Sequence, residues 1–111
     1  MTINNEITAI TETIKETVDC EKIYLFGSYA YGTPNQDSDY DFYVVIPDDS
    51  ALRPIEVMRK IRINLGNIQR TTPVDIIAGR SSRFAEMSAL PTMERRIARE
   101  GVMLYEQNPI S

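Results

Sequence analysis

A short β-prone run, Lys22-Ile23-Tyr24-Leu25-Phe26, stops at Gly27-Ser28, and after ten intervening residues Asp39-x-Asp41 opens a second such run that continues to Ile46. This order constrains the fold more than any other stretch, because it sets a sharp turn at the end of one strand and two carboxylates at the start of the next. Glycine at the turn tolerates backbone angles closed to other residues and, lacking a Cβ, lets a ligand approach the main chain. The residues that follow, Ser28 to Tyr31, predict a helical turn. Its free N–H groups, with the Ser28 hydroxyl, favour an anion such as a phosphate.

Side chains alternate along a strand, so a strand over Asp39 to Ile46 puts Asp39 and Asp41 on one face, with Cα atoms about 6.5 to 7 Å apart. Two unpaired anions at that separation repel by about 2 to 3 kcal/mol at an effective dielectric near ~20. A sequence selected for stability alone avoids that cost. A Mg²⁺ ion converts it into a ligand set, since its usual environment is one or two carboxylates plus substrate phosphates. Taken alone, the glycine turn and the acidic turn each read as ordinary; their joint order on strand, turn and strand carries the signal.

The Gly-Ser pair, the ten-residue gap and Asp-x-Asp resemble the signature of the DNA polymerase beta superfamily of nucleotidyltransferases, in particular its minimal nucleotidyltransferase (MNT) members. The resemblance extends to Pro73-Val74-Asp75-Ile76-Ile77, which looks like the strand that supplies a third carboxylate, and to Ala98 through Tyr105, similar to the usual C-terminal ending. It implies that Gly27 and Ser28 hold the nucleotide triphosphate, that Asp39 and Asp41 bind metal, and that Asp75 completes the metal site and helps deprotonate the attacking hydroxyl. One departure is Tyr31, where many relatives carry arginine.

Composition narrows the chemistry. A chain of 111 residues reads as one domain, residues 1–111, that buries about 60 to 70% of its unfolded surface and needs neither disulfide nor structural metal to fold. With no histidine, Ser-His and Cys-His triads and the usual zinc sets are excluded. The single cysteine, Cys20, reads as a small apolar residue before the first strand. A net charge of −4 argues against binding duplex nucleic acid, whose affinity comes from lysine and arginine, and so against a template-directed polymerase. No signal peptide and no apolar run of membrane-spanning length are visible, which predicts a cytoplasmic protein.

Periodicity predicts the remaining elements. Ile3, Ile7, Ile10, Ile14 and Val18 form one apolar stripe of a helix that covers a sheet, and Ile55, Met58, Ile61 and Leu65 form a second that ends at Gly66. Arg53, Arg59, Lys60 and Arg62 give that second helix a basic side, read as solvated. In a third strand Val74, Ile76 and Ala78 share one face and Asp75 and Ile77 the other. Helices are predicted over 81–89 and 93–100 and a short strand over 102–105. Arg95, Arg96 and Arg99 cluster on the last helix and read as surface charge.

The predicted fold is α/β (α+β in strict usage), a small mixed sheet backed by helices that resembles the nucleotidyltransferase core. The resemblance implies transfer of AMP from ATP, with two Mg²⁺ ions, to an acceptor hydroxyl with release of pyrophosphate. MNT proteins of this size are similar to the antitoxin halves of HEPN–MNT pairs, in which the MNT partner adds AMP to a tyrosine of the HEPN toxin. Two alternatives stand beside that partner: a small-molecule enzyme like the aminoglycoside nucleotidyltransferases, which carry an added helical domain, and an antitoxin that acts by binding alone.

Overall fold

A computed structural model describes residues 3–35 and 37–107. Along them the chain forms α1 (Asn5–Thr17), β1 (Lys22–Phe26), α2 (Ser28–Tyr31), β2 (Tyr40–Ile46), α3 (Pro54–Leu65), β3 (Val74–Arg80), α4 (Ser81–Ser88), α5 (Met93–Glu100) and β4 (Val102–Glu106). The four strands make one sheet in the order β3-β2-β1-β4. β1 runs antiparallel to both its neighbours, while β2 and β3 run parallel through the α3 crossover. The mixed sheet backed by helices predicted from the sequence is the observed architecture.

Alternation along the strands divides the apolar residues between two cores. On one face Ile23, Leu25, Phe42, Val44, Ile46 and Ile76 pack beneath Ile7, Ile10 and Ile14 of α1 and Val57, Ile61 and Leu65 of α3. On the other, Tyr24, Tyr43 and Val45 lie beneath Phe84 of α4 and Ile97 of α5. β2 is therefore covered on both sides. That is why Phe42 to Ile46 is an unbroken apolar run rather than an alternating one.

Two helix stripes differ from the periodic reading. The Asn4 side chain accepts a hydrogen bond from the Ile7 amide at 2.8 Å and caps α1, so the helix starts at Asn5 and leaves Ile3 exposed ahead of it. In α3 the buried row is Val57, Ile61 and Leu65, with Ile55 48% exposed. Pro54 at the first turn and the Arg53 amide bonded to Glu56 at 2.9 Å set the phase of this helix, and that phase turns Ile55 outward. Among the described residues no helix is long and apolar enough to cross a membrane.

Candidate active site

The antiparallel register pairs Phe26, the last residue of β1, with Asp41 near the start of β2. The parallel register pairs Asp41 with Asp75. One end of the sheet therefore collects the turn at Gly27, the carboxylate of Asp41 and the carboxylate of Asp75. Asp41 and Asp75 share the face that carries Tyr43, Ile77 and the smaller core. Asp39 sits one residue before β2, exposed, rather than inside the strand as the sequence reading had it.

Gly27 adopts φ 74° and ψ −161°, a combination closed to residues with a side chain. A Cβ there would overlap the Asp41 carboxylate. The sequence reading assigned the missing Cβ to ligand approach; in the structure the group that takes the space is Asp41 itself. The Gly27 carbonyl then accepts the amides of Ala30 and Tyr31 at 3.0 and 2.9 Å, which starts the single turn of α2, and Gly32 ends it at φ 85°. In such a turn the leading N–H groups, here those at Ser28, have no partner within the helix.

Asp41 is half-buried, and its carboxyl titrates above the ordinary value, first because burial penalises the charge and then because Asp75 and Asp39 repel it. Three carboxylates at one end of the sheet are hard oxygen ligands and suit a divalent cation in kind. As they stand, no three acidic, cysteine or histidine side chains among the described residues converge on one point. Arg62 engages the outermost carboxylate: its Nη2 lies 3.9 Å from Asp75 Oδ1 and donates to the Ile76 carbonyl at 3.3 Å on the outer edge of β3. Arg62, read from sequence as a solvated charge, thus borders the site.

Two further contacts were invisible to sequence reasoning. Buried Tyr40, between Asp39 and Asp41, donates its hydroxyl to Glu6 Oε1 at 3.0 Å and accepts from Asn4 Nδ2 at 3.0 Å. The other Glu6 oxygen accepts the Thr71 amide at 2.8 Å and its hydroxyl at 3.1 Å, and these bonds, the Thr71 amide foremost, hold the carboxyl below its usual range. The start of α1 thereby ties the start of β2 to the loop that leads into β3. Tyr29 of α2 packs on the Tyr40 ring at 4.6 Å between centroids, which links the glycine turn to the same network.

The second contact joins α5 to α2. The Arg96 guanidinium lies over the Tyr31 ring, 4.0 Å from its centroid, and its Nε is 3.4 Å from Glu100 Oε2. Burial pushes the Tyr31 phenol up, opposed by the Gly27 backbone and by Arg96, while Glu100 and Asp41 add to the rise. Arg95 and Arg99 of the same helix make no comparable approach to α2 among the contacts described. A separate cavity of about 270 Å³, lined by Lys15, Val18, Cys20 and Tyr105 among others, lies at the far end of β1. Burial pushes the Cys20 thiol up to about 11, which leaves it inert there.

Residues 8–110 match the family of polymerase beta nucleotidyltransferases. The chain belongs to that family. No curated protein matches it at a significant level. Among solved structures, a Sulfolobus solfataricus protein classed as a nucleotidyltransferase is 20% identical, with a TM-score of 0.61 over 91% of this chain and 78% of that one. A double mutant of the MntA-HpeT toxin-antitoxin is 21% identical, with a TM-score of 0.57 over 90% of this chain and 73% of that one. A toxin-antitoxin with AMP-PNP is 22% identical, with a TM-score of 0.55 over 94% and 75%. At these identities the likeness is one of fold: this small mixed sheet with its helices is a nucleotidyltransferase fold.

Proposed function

We propose that this nucleotidyltransferase transfers AMP from ATP to an acceptor hydroxyl, and that the acceptor is a tyrosine of a partner toxin of the HEPN type. The observation that carries the chemistry is the register pairing of Asp41 with Asp75 beside Gly27 and Asp39. Asp39, Asp41 and Asp75 would hold Mg²⁺. The ion supplies positive charge to the attacking and leaving oxygens of an in-line displacement. The Gly27 backbone and the Ser28 hydroxyl orient the triphosphate. The acceptor oxygen bonds to the α-phosphorus, the bond from that phosphorus to the bridging oxygen breaks, and pyrophosphate leaves with the electron pair. Asp75 takes the acceptor's proton.

A protein acceptor is favoured by the exposure of Asp75, whose side chain is 57% accessible at the edge of the sheet. A base placed there meets a hydroxyl carried on another protein's surface. The fold shared with toxin-antitoxin complexes supports the same reading. Incubation with ATP, Mg²⁺ and a HEPN protein encoded beside it should add about 329 Da per AMP, read by intact mass. Asp75→Asn should form the complex and transfer nothing. Neutralisation of the toxin with no mass added by the wild type would replace transfer by binding alone, and adenylylation of a small hydroxylated metabolite with the toxin unmodified would replace the acceptor.

A further inference from the structure

The proposed triphosphate seat lies among three carboxylates in a chain whose net charge is −4, so an anionic substrate needs positive charge close by. Arg62 lies at the Asp75 side of the site, and a second guanidinium, that of Arg96, lies beside the glycine turn. Tyr31 ends the turn that begins directly after Gly27, and the Arg96 guanidinium lies over its ring, 4.0 Å from the centroid. Arg96 reaches this corner because Ile97, fully buried in the smaller core, fixes the rotation of α5. Its side chain remains 58% accessible, so the charge is presented rather than buried.

The manner of contact matters. A guanidinium over a ring uses its flat face, a modest attraction for an accessible pair, which biases the rotamer without desolvating the charge. The in-plane N–H donors stay available, and they are the ones that match phosphate oxygens bidentately. Here Nε faces Glu100 and the two terminal nitrogens form the remaining edge.

We propose that Arg96 contacts the β- and γ-phosphates of the bound nucleotide, with Tyr31 as the positioning residue that holds the guanidinium over the glycine turn. This rests on the nucleotide reading above. It makes α5 part of the substrate site and makes Arg96 a determinant of triphosphate over monophosphate. The Tyr31 ring then has a use of its own: it keeps a cation from another helix beside the turn.

Calorimetry with ATP and with AMP, both in Mg²⁺, tests it. Arg96→Gln should weaken ATP about tenfold or more, the scale of a lost charge-assisted hydrogen bond, and AMP less than about twofold. Tyr31→Leu should move ATP in the same direction by a smaller factor. Arg96→Lys should recover only part of the loss, because an ammonium lacks the planar fork. Arg99→Gln removes the same charge from the same helix and should leave ATP affinity at the wild-type value. Arg96→Gln with wild-type ATP affinity, equal losses for ATP and AMP, or an equal loss in Arg99→Gln each overturns the assignment. A wild-type protein that binds ATP while Arg96→Gln is silent removes Arg96 alone. A wild-type protein that binds no ATP removes the nucleotide reading as well.

Discussion

Replacing Asp41 by asparagine tests whether the carboxylates repel as the register requires. Adjacent strands lie about 4.8 Å apart, and residues two apart on one strand about 6.5 to 7 Å, so Asp75 and Asp39 act on Asp41 from about 5 to 7 Å. At an effective dielectric near ~20 each unit pair costs about 2 to 3 kcal/mol. Asp39 and Asp75 are exposed, and solvent screening reduces the sum to about 1 to 2 kcal/mol net. In a chain of 111 residues that corresponds to a rise in melting temperature of about 4 to 8 °C for Asp41→Asn. The assay is thermal unfolding in EDTA at low salt and neutral pH. The folded carboxyl titrates above its ordinary value of 3.8, so the charged form is the costly one. Its cost is therefore full above the folded value and fades as pH falls through it, closing the gap between variant and wild type in acid. Mg²⁺ with ATP should reverse the order, raising the wild type more than the variant. A variant that melts at or below the wild type in EDTA at neutral pH refutes the reasoning.

Gly27→Ala should destabilise by about 1 to 3 kcal/mol from the backbone angle alone, with a further loss where the new methyl meets Asp41. Adding Asp41→Ala should recover that further loss and leave the backbone part, as measured by denaturant unfolding of the single and double variants. Glu6→Gln should lower the melting temperature at neutral pH by loosening Tyr40 and Thr71. Because the Glu6 carboxyl is held below its ordinary 4.5, the wild type's advantage is full above that value and should vanish as pH falls through the lower folded one; a gap that persists in strong acid contradicts the network.

The sheet was legible because its strands are short, β-branched or aromatic runs bounded by turn residues. Lys22 to Phe26 ends at a glycine, Val74 to Ala78 alternates, and Phe42 to Ile46 is apolar on both faces. Edges were less legible: Asp39 falls just outside β2 because the first bond across to the next strand is made by the Tyr40 amide to the Pro73 carbonyl at 3.0 Å. Ile55 was misplaced because a stripe with several apolar candidates leaves the helix phase open until the cap fixes it. The turn and the three carboxylates were read from one strip of sequence and one distant strand. Their neighbours were not, since Arg62 against Asp75, Arg96 against Tyr31 and Glu6 against Tyr40 join residues far apart in the chain that only tertiary packing brings together. A charged residue on a helix looks the same in sequence whether water or a carboxylate faces it.

The parallel pairing of β2 with β3 also governs when the acidic corner comes into being. Antiparallel β1 and β2 meet across the short α2 connection, so the glycine turn and the first two carboxylates assemble from neighbouring chain. Parallel strands cannot be joined by a tight turn, and the third carboxylate arrives only after α3 has crossed the sheet and docked. Such long-range closure is slow relative to local pairing. A chain still emerging from the ribosome with β3 unmade holds half a corner, and the complete trio of carboxylates is itself a marker that the chain has closed on itself.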